Sequence, residues 1–488
     1  MGEVQSTLFQ PEFNRSIHVE ARPERLTNDG GAILVRELMD RSGLSQLLAA
    51  HLSDPRDEHR IKHPFSELVR TFLLLDSQGW HDQLDVSALR DDPALRLAVS
   101  DRRGDGPLRS PGTGVPEGLC SQSTLSRLLC ALGTDENRAG LSEIVLGWAE
   151  RLIRRRAHGI ERLVVDLDSL PIEVHGHQPG SAYNGHFRAT CFHPLVARLD
   201  DGPFLGARLR AGTAHTADGG LEFVLPMLRR LHAIVPQVWL RMDAGFPEPQ
   251  LLSTLEAENV RYVARLRKNP VLQRLAEPHL KRPPGRPPRE GRVWFHELSY
   301  QARSWEHPRR VVLVVLERAD EQQHLFLDHF FLLTNAPEEF EGGRLLTFYR
   351  RRGTAEKEFG DWKNALDLKL SSTERPKSHY RERAITAPAP ATDSFAANEA
   401  RLLLSLLSAN LLDFGARLLD RTGKARLSRI RFRQLVLKAA ARGLLGGHIV
   451  TLVINAAIAP FWQAIWQNMN HLYPARGSPL RSPLPATA

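Results

Sequence analysis

The chain has 488 residues, 42% of them hydrophobic and 25% charged, with a net charge of +9. That composition excludes a fibrous, disordered or disulfide-scaffold protein and predicts a globular one of roughly two to four domains. The positive balance leans toward a polyanionic partner, and over this length its distribution says more than its total.

The opening "MGEVQSTLFQPEF" carries acidic and polar residues where a signal peptide needs a basic start and an apolar run. Cys120, Cys130 and Cys191 form neither a CxxC pair nor a disulfide framework, as expected for a reducing cytoplasm. The longest apolar stretch, "IVTLVINAAIAPFW", contains Asn455 and falls short of the roughly 18 residues a membrane span requires. The expectation is a cytoplasmic protein with no membrane contact.

Residues 1–25 read as a polar arm. From 26 to 155 the apolar spacing is helical almost throughout, as in "FSELVRTFLLLDSQGW" and "TLSRLLCALG". "SQSTLSRLLCAL" opens with Ser/Thr capping candidates and presents Arg127, which suits either a recognition helix or an ordinary capped helix. The pattern changes in 156–269: "ERLVVDLDSLPIEVHG", "FHPLVARL", "PQVWLRMDAGF" and "VRYVARLRKN" read as strands, and "GGLEFVLPMLRRLHAI" as a helix, giving an α/β layer. A β-rich insertion follows over 270–335, beginning with the Pro/Arg-rich "KRPPGRPPREGR" and continuing in "RVWFHEL", "RRVVLVVLE" and "HLFLDHFFLLTN". The α/β layer resumes over 336–384; a Pro/Ala linker spans 385–394 and a helical tail spans 395–488.

Chemistry concentrates at three places. Asp168 in "LVVDLDSL" and Asp243 in "VWLRMDAGF" end apolar strands, where sites assemble at the rim of a sheet. Asp166, two residues before Asp168 and on the same face, competes with it as first ligand. The third place is "FYRRRGTAEKEFGDWK", expected as one helix. At about 100° per residue, Tyr349, Arg352, Glu356 and Lys363 fall within about 60° of one another, whereas Glu358 points nearly opposite. Such a stripe is either a salt-bridged outer face or a site. If Glu356 packs over the strand ends, three carboxylates converge, and they cannot all stay ionised without a cation. Hard oxygen donors select Mg²⁺ or Mn²⁺, and two ions suit phosphodiester chemistry.

Strand–Asp, strand–Asp-x-Gly, a β-rich insertion and then Tyr-x2-Arg-x3-Glu-x6-Lys resembles the DDE transposases of bacterial insertion sequences. "DLDSLPIEVHGHQPG", "YNGHFRATCFHPL" and "DDPALRLA" look most like insertion-sequence family 1380, a relative of the family-4 group. The resemblance covers most of residues 25–450 and implies an α/β fold with a ribonuclease-H-like catalytic core and a β-rich insertion, flanked by N-terminal and C-terminal helical regions. It implies that Asp168, Asp243 and Glu356 are catalytic and hold two Mg²⁺ or Mn²⁺ ions, with Tyr349, Arg352 and Lys363 on DNA phosphates. The implied activity is binding of the terminal inverted repeats, cleavage there and transfer of the 3′ hydroxyls to target DNA, by a homodimer in the synaptic complex. A second-strand route through a hairpin stays open. The alternative is a DNA-binding protein of the same fold whose catalysis has lapsed. Gly353 departs from a helix interior, where it costs about 1 kcal/mol against alanine; close packing or a helix start would account for it.

Other constellations are weaker. His175, His177, His186, Cys191 and His193 fit no usual zinc spacing and read better as lining a polar cleft. "RPPGRPPR" resembles a minor-groove hook or a solvated linker; either way Arg282, Arg286 and Arg289 sit on an exposed insertion able to meet phosphate, with Arg286 expected to bind DNA. Residues 421–442 hold eight Lys/Arg and no acidic residue, predicting a basic helix whose Arg426, Arg429, Arg431 and Arg433 meet DNA phosphates.

Overall fold

The computed structural model describes residues 7–21, 24–57, 59, 61–109, 118–156, 159–174, 176, 178–284, 291–319, 325–372, 394–420, 426–446 and 449–474. The Pro/Ala linker, His175, His177, Arg286 and Arg289 therefore lie outside the described residues. The fold is mixed α/β with one large sheet. It separates into two compact units that do not follow chain order: 1–38 with 57–125 and 415–488, and 39–56 with 126–414. Both the 26–155 region and the 395–488 tail are shared between them.

The larger unit is built on eight strands: β1 Arg162–Ser169, β2 Leu195–Leu199, β3 Phe204–Arg208, β4 Gln237–Met242, β5 Arg261–Leu266, β6 Arg292–Tyr300, β7 Arg309–Ala319 and β8 Leu325–Thr334. Their order across the sheet is β6-β7-β8-β5-β4-β1-β2-β3. The three central strands β1, β4 and β5 run parallel, and every other pairing is antiparallel. The insertion strands join this same sheet, because β8 pairs with β5.

Alternation decides which face each residue meets. Leu163, Val165 and Leu167 of β1 and Val238, Leu240 and Met242 of β4 enter one core, with helices α1 Asp135–Arg156, α2 Gly220–His232 and α3 Pro249–Ala257. Val164 and Trp239 face the other way, into a second core closed by Leu345, Leu346 and Phe348 of helix α4 Gly342–Arg350. Helix α5 Arg352–Ala365 follows, then α6 Ser394–Leu419. Asn410 of α6 caps the edge of the sheet, accepting from the Phe204 N–H at 2.8 Å and donating to its carbonyl at 3.0 Å. α6 is the one described helix long and apolar enough to cross a membrane, and 89% of its apolar window is buried inside the protein, as for a core helix.

In the smaller unit Phe65–Gln78 is buried along nearly its whole length. Its partners come from distant sequence. Arg433 donates to the Ser77 carbonyl at 2.9 Å and the Asp76 carbonyl at 3.2 Å, and Lys438 meets Asp29 at 2.6 Å. The expected helical tail is only partly helical. Arg429–Phe432 is α-helical and Arg433–Leu437 a π turn, but Ala441–Gly446 and Ile449–Ile454 form an antiparallel hairpin that also pairs with Leu26–Thr27. The β-branched run of "IVTLVI" carries that hairpin, a strand signal inside the stretch read above only as the longest apolar run.

Candidate active site

Parallel register aligns the ends of β1, β4 and β5. Leu167 pairs with Met242 and Met242 with Ala264. The next step along all three strands is therefore Asp168, Asp243 and Arg265, in line and on the face that α4 covers. Two steps below lies the row Asp166, Arg241 and Val263. Each aspartate is steadied by the turn that follows it: Asp168 accepts from the Ser169 N–H at 2.9 Å and Asp243 from the Ala244 N–H at 2.6 Å. The glycine two residues after Asp243 is sterically required, because a Cβ on Gly245 would lie 2.6 Å from the Thr216 methyl carbon.

The signature segment is two helices, which corrects the single-helix expectation. α4 ends at Arg350 and α5 begins at Arg352, so Tyr349 sits in the last turn of one and Glu356 in the body of the next. Gly353 marks a helix start, and no atom within 4 Å would oppose a Cβ there, so close packing does not account for it. The break still brings Tyr349, Arg352 and Glu356 to one cavity of about 470 Å³ that is also lined by Asp168, Asp243, Arg265, Phe330 and Arg350. All of these residues belong to the larger unit.

Arg352 holds the site together. Its guanidinium reaches Asp168 Oδ2 at 2.9 Å and also donates to Glu356, so one cation stands between two of the three carboxylates. Burial, opposed by Arg352 and reinforced by Asp243 and Glu356, pushes the Asp168 carboxyl up to about 6. Burial likewise raises the Tyr349 phenol above its ordinary value and keeps it protonated.

Asp166 does not compete for this site. It is 1% exposed and forms a two-pronged ion pair with Arg241, both contacts at 2.7 Å. Arg241, itself 0% exposed, also donates to the Phe348 carbonyl of α4 at 3.0 Å and lies 3.1 Å from Asp200. One buried guanidinium thus ties β1, β4 and α4 together directly beneath the cavity. Sequence reasoning missed it, although the alternation that paired Asp166 with Asp168 also pairs Arg241 with Asp243.

Lys363 is not brought to the cavity. Its ammonium donates to the Pro171 carbonyl at 2.9 Å, and burial lowers its pKa against the pull of Glu173. Among the tail arginines, Arg429 and Arg433 are buried, so a phosphate does not reach them in this structure; Arg431 is exposed and Arg426 half-buried. Arg282, expected on an exposed insertion, is exposed, and its guanidinium pairs with buried Glu317 at 2.8 Å. His193 binds the Ala214 carbonyl at 3.0 Å, Cys191 is buried, and His186 is exposed. Among the described residues no three His, Cys, Asp or Glu side chains stand close enough together to hold one ion. Between Asp168 and Glu356 the intervening group is Arg352. Asp168, Asp243 and Glu356 are hard oxygen donors, the type a divalent ion takes, but with Arg352 between two of them they are not gathered about one point in this structure.

A family model described as Transposase DDE domain group 1 matches residues 9–474. The protein belongs to that family of DDE transposases, metal-dependent enzymes that cut and transfer DNA. No curated protein matches the chain. Among solved structures it is similar to a piggyBac transposase synaptic complex with hairpin DNA, at 12% identity and a TM-score of 0.37, over 96% of this chain and 90% of that one.

Proposed function

We propose that the protein is an insertion-sequence transposase of the family-1380 type, which binds the inverted repeats at the ends of its element, cuts there and joins the freed 3′ hydroxyls to target DNA. The observation that carries this reading is the placement of Asp168 and Asp243 at one level on adjacent parallel strands, with Glu356 across the same cavity. The order β3-β2-β1-β4-β5, parallel at its centre and antiparallel at the β1–β3 side, supports a ribonuclease-H-like core. β6–β8 would be its insertion.

Asp168, Asp243 and Glu356 would hold the divalent ions. The chemistry such ions would supply there is activation of a water or 3′ hydroxyl and stabilisation of the leaving oxygen. The chain's own residues do the rest. Arg352 shields Asp168 from Glu356 before loading and must release Glu356 for the carboxylates to share a metal. Tyr349, protonated, offers its O–H to a phosphate oxygen. Two DNA ends call for two protomers, and the 26–155 and 395–488 regions supply the additional DNA contacts.

The test is strand cleavage of a duplex carrying the DNA that flanks the gene, with Mg²⁺ or Mn²⁺. Wild type should cut, and Asp168→Asn and Glu356→Gln should not. Mn²⁺ should also raise the melting temperature of wild type and not of Asp168→Asn. Metal-dependent stabilisation with tight DNA binding but no cleavage would identify a DNA-binding protein whose catalysis has lapsed. Equal cleavage by all three would remove the carboxylate assignment.

A further inference from the structure

The cations in the candidate site are not equivalent. The charge of Arg352 is engaged by Asp168 and Glu356, and Lys363 turns away to Pro171. Arg265 stands at the level of Asp168 and Asp243, next to Asp243 across the β4–β5 pairing, on a strand whose backbone sets its direction. No carboxylate among the described residues pairs with it; its guanidinium lies 5.0 Å from the Phe330 ring centroid, an orienting cation–π contact. Arg265 and Phe330 also line a second cavity of about 300 Å³, which shares Asp243 with the first and adds Arg267 and Lys268. The two cavities share Asp243, Arg265 and Phe330; the first also carries Arg350 and Arg352 at its helical wall, and in the second Lys268 lies 3.7 Å from Asp328.

We infer that Arg265 binds the DNA phosphate next to the bond being cut, and that the strand leaves the active cavity along Arg267 and Lys268. The inference rests on the transposase reading and names the residue that positions its substrate. A guanidinium beside the carboxylates supplies the charge an incoming phosphodiester needs against their repulsion, and its planar fork fixes two phosphate oxygens at once. Strand geometry keeps it there before DNA arrives, whereas Arg352 must first give up a partner.

The experiment measures binding of a duplex carrying the element's end to the full chain in chelator, across a salt series, for wild type, Arg265→Ala, Arg265→Lys and the exposed Arg274→Ala on Pro270–Ala276. Arg265→Ala should bind about tenfold more weakly and lower the salt slope by about 0.9, the amount for one phosphate contact on duplex DNA. Arg265→Lys should keep the slope, and Arg274→Ala should match wild type. A single uncharged methylphosphonate, moved along the strand, should weaken wild type at one position beside the cut and leave Arg265→Ala unchanged there. If Arg265→Ala has the wild-type slope, or loses as much as wild type at every methylphosphonate position, the inference is overturned while the transposase reading stands. If wild type neither binds nor cuts the end, the transposase reading itself fails.

Discussion

Asp168 shows what a carboxylate-rich site costs a protein before its cations arrive. Its side chain is only 16% exposed, and its carboxyl rises from an ordinary value of 3.8 to about 6 even with Arg352 at 2.9 Å. The folded state thus holds the proton more tightly than the unfolded one. The sign follows: stability from this group is full below pH 3.8 and is lost as pH rises through about 6. At higher pH the ionised group opposes folding by on the order of 3 kcal/mol. Asp168→Asn, which mimics the protonated form, should therefore make the metal-free protein more stable than wild type by up to about that amount above pH 7 or so, with the difference vanishing below about pH 4. Urea unfolding in chelator at the two extremes measures it. A less stable Asn variant at high pH would mean that Arg352 outweighs burial.

At the scale of elements, the site is aligned by register and clamped from below. Parallel pairing of β1, β4 and β5 brings Asp168, Asp243 and Arg265 to one level, and the Asp166–Arg241 pair one alternation below locks two of those strands to the end of α4. Removing one partner of such a pair strands a buried charge at a cost of about 3–5 kcal/mol, whereas replacing both with apolar groups can be nearly neutral. Arg241→Met should accordingly lower the unfolding free energy by that amount, and Arg241→Met with Asp166→Leu should recover most of it. If the double variant is as stable as wild type but cleaves poorly, the Phe348 carbonyl contact positions α4 as well as holding the core.

For the whole molecule, chain order is a poor guide to architecture. The smaller unit gathers residues near 30, the helix Phe65–Gln78 and the segment after 415, and Arg433 bridges the last two by donating to the Ser77 and Asp76 carbonyls. Arg433→Met keeps the bulk and takes its donor from the Ser77 carbonyl, while the Asp76 carbonyl still accepts from the Gly79 N–H, at about 1–3 kcal/mol. Hydrogen exchange should then speed up along Phe65–Gln78, in the smaller unit, and stay unchanged in β1 and β4, in the larger. Uniform acceleration across both would show that they unfold as one.

The sequence by itself determined the strands that end in Asp168 and Asp243, the helical signature around Glu356, and the β-rich character of the segment between them. These follow from local periodicity, which a residue carries whatever its neighbours become. Only the tertiary structure decided the rest. Asp166 and Asp168 share a face, and what separates them is Arg241, which arrives from another strand. Tyr349 and Glu356 meet through a helix break at Arg351 rather than along one helix, and Lys363, on the expected stripe, finds the Pro171 carbonyl instead. Arg433 looked like a free cation in a basic stretch and is a buried donor. Arg265, carried without comment in the strand "VRYVARLRKN", stands level with two carboxylates. In each case the deciding fact is which segments become neighbours, and a one-dimensional pattern of charge and hydrophobicity does not contain it.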